Sequence, residues 1–114
     1  MHEFSLAEQV LAIVLAAARE NNLSRVAVVH MEIGRISGVS LEALSFAWEF
    51  VRSGDPLTAE AALDIARPEG HGVCSACGYD GLVSEPLRIC PQCGETRLEL
   101  TAGLEFNVLN ISGE

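Results

Sequence analysis

A chain of 114 residues, 49% apolar, can build one compact unit with a modest core and a small subdomain, but not several large domains. Its formal charge of −9, from 7 basic and 16 acidic residues, repels phosphate backbones and argues against nucleic acid as a general partner. The longest apolar run, Val10 to Ala18, has nine residues. A membrane span needs roughly 20, and no basic leader precedes the run, so no membrane span or signal peptide is expected and the cytoplasm is the expected location.

In chain order, "SLAE" at Ser5 to Glu8 has the pattern of a capping box, in which Ser5 accepts from the amide three residues on and Glu8 reaches back. Leu6, Val10, Ile13, Val14 and Ala17 follow at helical spacing, predicting a helix over 6–20 that packs on a core and stops at Asn21 and Asn22. "RVAVVHMEIG" reads as a strand, with Val29, Met31 and Ile33 on one face and Val28, His30 and Glu32 on the other. Ser40 can cap a second helix in which Leu41, Leu44, Trp48 and Val51 share a face with Phe50 beside them, and Gly54-Asp55-Pro56 ends it. Leu63 and Ile65 belong to a short strand up to Pro68. "LEFNVLNI" near the end alternates again, placing Leu104, Phe106 and Val108 together.

Residues 69–97 differ in kind, with four Cys, five Gly, two Pro and few large apolar side chains. Such a segment needs a metal to fold. Strands on both sides of it imply insertion into a sheet domain. The expected fold is α+β: two helices packed on a small mixed three-stranded sheet (1–68 plus 98–114), with an inserted zinc-ribbon-like module of four cysteines (69–97).

Cys74 and Cys77 form one pair and Cys90 and Cys93 the other, in C-x2-C-x12-C-x2-C spacing. In a reducing compartment this reads as a metal site rather than two disulfides. Each CxxC can fold as a tight knuckle, and two facing knuckles complete a tetrahedron around Zn2+; iron in a rubredoxin-like site is the rival ion. Two matched pairs are more than thiol exchange requires. Four thiolates close the coordination shell, so the ion would have a structural role. His71, three residues before Cys74, is either a solvated loop histidine or an alternative ligand. His30 suits a sheet histidine better than a ligand.

The chain opens "MHEFSL". The Met1 amine, the His2 amide nitrogen and the His2 imidazole can form two fused chelate rings, a planar nitrogen set of the kind that suits Ni(II) or Cu(II). The Glu3 amide or a nearby side chain can add a fourth donor. Taken alone, a histidine at position 2 is usually just exposed.

"MHEFSL", "GRISGVSLEALSFAWE", "ALDI", "CSACG" and "CPQCG" together resemble the HypA/HybF family of hydrogenase nickel-incorporation proteins over nearly the whole chain. The resemblance implies a nickel metallochaperone that is not an enzyme. It would deliver Ni2+ to the large subunit of NiFe hydrogenase together with a HypB-like GTPase, and in some organisms would assist urease maturation proteins. It assigns the nickel to Met1, His2 and Glu3, and structural Zn2+ to Cys74, Cys77, Cys90 and Cys93. Some members carry histidines after the CxxC pairs, where this chain has Tyr79 and Glu95. Some carry an acidic residue at the start of the second helix, where this chain has Ser40 with Glu42 nearby, so no ligand is assigned there. The alternative is a zinc-ribbon interaction module with no nickel role. No nucleophile–base pair, phosphate loop or open zinc points to catalysis.

Overall fold

The computed structural model describes residues 2–114. The elements are α1 (His2–Glu20), β1 (Val26–Ile33), α2 (Leu41–Val51), β2 (Ala62–Ala66), β3 (His71–Cys74), β4 (Asp80–Leu82), β5 (Leu98–Ala102) and β6 (Phe106–Gly113). They form two three-stranded sheets, ordered β2-β1-β6 and β4-β3-β5. Contacts divide the chain into two compact units. One holds residues 2–31, 39–65 and 107–114; the other holds 32–38 and 66–106. Among the described residues no helix is long and apolar enough to cross a membrane.

The first unit is the helical one. Helix α1 begins at His2, upstream of the expected start, so Ser5 lies inside the first turns as an exposed helical residue rather than a cap. Its buried stripe is Ala7, Val10, Val14 and Ala18. This lies one residue round from the expected stripe, and Ile13 is left 52% exposed. The end of α1 is a Schellman motif: Leu23 N–H donates to the Ala18 carbonyl at 2.9 Å and Asn22 N–H to Arg19 at 3.2 Å, with Asn22 at φ 56°.

Ser40 caps α2 as expected, its Oγ accepting from the Ala43 amide at 3.2 Å. Leu44, Ala47 and Trp48 are buried, whereas Phe50 is exposed rather than packed beside them. Two 3-10 turns follow, at Arg52–Gly54 and Pro56–Thr58. Trp48 Nε1–H donates to the Ala61 carbonyl at 2.8 Å, and the fully buried Thr58 hydroxyl donates to Arg52 at 2.9 Å. Every buried side-chain polar atom among the described residues has a partner. On β1, Val29, Met31 and Ile33 are buried as the alternation predicts.

The second unit contains strands that the sequence did not announce. β3 pairs antiparallel with β4 (His71 opposite Leu82, Val73 opposite Asp80) and with β5 (Cys74 opposite Leu98). Its core is small: Cys74, Cys90 and Leu98, flanked by Tyr79, Val83 and Leu100. Three glycines meet in the same unit. A Cβ on Gly34 would collide with the Gly103 carbonyl, and one on Gly103 would lie 2.6 Å from the Gly70 Cα. The Gly103 carbonyl also accepts from Ile36 N–H at 3.0 Å. Leu104 stands outside β6 and is exposed, not aligned with Phe106 and Val108 as expected.

Candidate metal centres

The two CxxC segments fold into near-identical knuckles. Gly78 N–H donates to Cys74 O at 2.9 Å and Gly94 N–H to Cys90 O at 3.0 Å, while Cys74 N–H reaches Tyr79 O at 2.8 Å and Cys90 N–H reaches Glu95 O at 2.9 Å. Gly78 and Gly94 take φ of 82° and 78°, which favours glycine after each pair. Tyr79 and Glu95 thus serve the turns through their backbones.

The four sulfurs lie within 4.8 Å of one another. Cys74 and Cys93 Sγ are 3.8 Å apart, and Cys77 and Cys90 Sγ 3.6 Å. These separations exceed the roughly 2.05 Å of a disulfide. They match the edge of about 3.8 Å that follows from four sulfurs at about 2.3 Å around one tetrahedral ion. Cys74 and Cys90 are buried, Cys77 and Cys93 exposed.

Amides converge on the sulfurs: Ala76 N–H on Cys74 at 3.3 Å, and Gln92 and Cys93 N–H on Cys90 at 3.3 and 3.4 Å. Burial pushes the Cys90 thiol up, but the Cys93 and Gln92 amides and the neighbouring thiols more than offset it, lowering it to about 7 from 9.0. The Glu95 amide lowers the Cys93 thiol, yet burial and the other three thiols push it up to about 12. The cluster thus favours the Cys90 thiolate and disfavours the Cys93 one. A bound cation favours both, so the donor set fits a thiolate-bound metal. The Gln92 side chain adds a contact that the spacing did not announce: its Nε2 donates to Cys77 Sγ at 3.4 Å.

His71 stands outside this cluster. It opens β3 rather than sitting in a loop, with Nε2 2.8 Å from Asp80 Oδ1 and Nδ1 2.7 Å from Thr101 Oγ1. His30 on β1 is likewise engaged at both nitrogens, 2.9 Å from Asp64 Oδ2 and 3.0 Å from Ser112 Oγ. Those groups belong to the two flanking strands, so His30 links all three strands of its sheet.

At the other candidate centre, Met1 lies outside the described residues. His2 is exposed at the start of α1. Glu3 Oε2 accepts from the Ser40 amide at 3.0 Å. That bond, with the residue's own amide next in weight, holds the Glu3 carboxyl at about 2, below the ordinary 4.5. Ser40 therefore has two tasks: its Oγ caps α2, and its N–H holds the third residue of the chain as a carboxylate. The cap was legible in the sequence; the long-range bond was not.

Comparison with known proteins points to one family. The model of the family described as hydrogenase/urease nickel incorporation, metallochaperone, HypA matches residues 1–113. Hydrogenase maturation factor HypA of Rhizobium leguminosarum bv. viciae is 41% identical over 108 residues, covering 95% of each chain. That of Dechloromonas aromatica is 41% identical over 114 residues and covers both chains fully. The solution structure of the Ni metallochaperone HypA from Helicobacter pylori shares the fold, with a TM-score of 0.73 over 99% of this chain and 97% of that one, at 23% identity. This chain belongs to the HypA family of hydrogenase and urease nickel-incorporation metallochaperones.

Proposed function

We propose that this protein carries Ni(II) on its N-terminal residues and hands it over during maturation of a NiFe hydrogenase, in the cytoplasm. The Met1 amine and the His2 nitrogens form the binding face, and Glu3 supplies adjacent negative charge. The observation that carries this reading is the family match across the whole N-terminal segment, joined to an exposed His2 that begins a helix whose next residue is held as a carboxylate. Both the amine and the imidazole have reference pKa values near neutrality and so release protons readily to a metal. An open, few-toothed site releases its ion more easily than a cage, as delivery requires.

The four cysteines hold Zn2+ in this reading. The ion supplies a crosslink among four points of a segment too poor in apolar side chains to fold unaided. The acceptor of the nickel is the hydrogenase large subunit, with a HypB-like GTPase as the working partner and urease maturation as the related pathway. The test is a calorimetric nickel titration of the untagged, zinc-loaded protein beside His2→Ala. A near-stoichiometric site lost in the variant supports the reading. Equal binding in both proteins, or none in either, overturns it.

A further inference from the structure

Phenylalanine is among the side chains most often withdrawn from water, yet none of the four in this chain is fully buried. Three of them lie on the helices of the first unit: Phe4 is 46% exposed, Phe46 73% and Phe50 67%. Phe46 and Phe50 are one turn apart on α2 and share a face. Phe4 meets Phe50 edge to face, with ring centroids 6.0 Å apart and planes at 85°. Glu3 reaches the start of α2 while Phe4 meets Phe50 near its end, so the first turn of α1 lies beside α2. The result is an aromatic patch on the outer side of the helix pair. Contiguous apolar surface with a polar rim marks an interaction site.

The charged side chains that flank these phenylalanines on α1 and α2 are acidic. Glu8 follows Phe4 by a turn, Glu42 precedes Phe46 by a turn and Glu49 adjoins Phe50; all three are exposed. Residues 1–18 and 36–51 contain no Arg or Lys. The nearest arginine along α2, Arg52, is half-buried and directs Nη1 to the Ala61 carbonyl at 3.0 Å.

We propose that the face of Phe4, Phe46 and Phe50 is a docking surface for a partner-protein segment that presents apolar side chains flanked by lysine or arginine. A second copy of this chain does not suit it: a two-fold contact would set Glu42 and Glu49 against the same rim on a molecule that also carries −9. An anionic lipid surface is repelled by the same charges. Phe4 is two residues from His2, so a segment seated here is held beside the end of the chain that carries the nickel. That last consequence rests on the nickel-carrier reading; the surface itself does not.

The test uses the zinc-loaded full chain and a fluorescein-labelled amphipathic helical peptide of leucine and lysine, with a leucine and glutamate peptide as control. The lysine peptide should bind, more weakly as salt rises, and the glutamate peptide should not. Phe46→Ala with Phe50→Ala should weaken binding by about tenfold or more, as expected for truncating central aromatic anchors. Glu42→Gln with Glu49→Gln should weaken it several-fold and flatten its salt dependence. Glu42→Gln with Glu49→Gln alters exposed side chains and should keep the parent melting temperature, whereas the phenylalanine variant loses the Phe4–Phe50 ring contact and should melt slightly lower with its helical circular dichroism intact. Undiminished peptide binding in the phenylalanine variant overturns the proposal. So does self-association of the parent that disappears in that variant, which would make a second copy the occupant. Nickel titration of the phenylalanine variant should match the parent, so that a failed docking site and a failed nickel site give different results.

Discussion

The cysteine cluster and the N-terminal triplet differ in how far the fold has arranged them. Around the cysteines the backbone has done its work beforehand: twin knuckles, amides aimed at sulfur, and two of the four ligands buried. At the N-terminus His2 is exposed, and one carboxylate beside it is tied to a helix cap. On the proposed function, the first arrangement gains by keeping its ion and the second by losing it. A carrier needs both, because the part that holds shape must not compete with the part that delivers. The contrast is one of preorganisation rather than of ligand chemistry alone.

The contrast can be tested in steps, of which metal removal from the cysteine site should have the largest effect. Stripping the zinc-loaded protein with a strong chelator should abolish the ordered β4-β3-β5 sheet, since structural zinc contributes on the order of 10–16 kcal/mol in small zinc modules. Amide NMR would show it as collapse of signals from 71–102 with those of α1 retained. Cys90→Ser, at a buried ligand, should act almost as strongly, and Cys77→Ser, at an exposed one, less.

At the open end, His2→Ala or a two-residue extension before Met1 should weaken nickel binding by about a hundredfold or more, given that outer-shell partners alone are worth 10–100-fold. Calorimetry reads the affinity, and the melting temperature should not move. If both changes left nickel unaffected, the comparison would collapse to one metal site.

A smaller effect is expected from Gln92→Ala. It removes the side-chain donor on Cys77 and should speed metal loss to a coloured chelator by up to about tenfold. Cobalt substitution should report the same change as a shift of the thiolate charge-transfer band.

The smallest effect concerns Glu3. Its folded value of about 2 lies below the ordinary 4.5, so the Ser40 contact stabilises fully above 4.5 and is lost as pH falls toward 2. The difference in melting temperature between the parent and Glu3→Gln should therefore shrink on acidification from pH 6 to pH 2.

Much of this was legible in the residues because the signals were short-range. Ser40 announces its helix, the alternation Val29, Met31, Ile33 announces a buried strand face, and CxxC spacing announces converging sulfurs. The start of α1 was misread because Ser5 and Glu8 satisfy a capping pattern that the helix simply runs through. Strands β3, β4 and β5 gave little warning: they are three to five residues long and two of them carry glycine, so no period can establish itself. The exposure of Phe50 and the Ser40–Glu3 bond depend on how α1 meets α2, which neither helix encodes by itself. His30 was ambiguous for the same reason, since its partners Asp64 and Ser112 lie 34 and 82 residues away, and His71 because its two partners, Asp80 and Thr101, come from the two strands that flank β3.

The meeting of Gly34, Gly70 and Gly103 bears on inheritance. None of the three can ligate a metal or touch a partner through a side chain, yet adding a single methyl group at Gly34 or Gly103 drives backbone into backbone. A survey of every substitution in the gene should therefore find these codons as unforgiving as those of the cysteines. Gly38, which has open space around it, should accept at least asparagine. Lineages that vary the metal chemistry of this protein would still have to pass through the same three-glycine bottleneck.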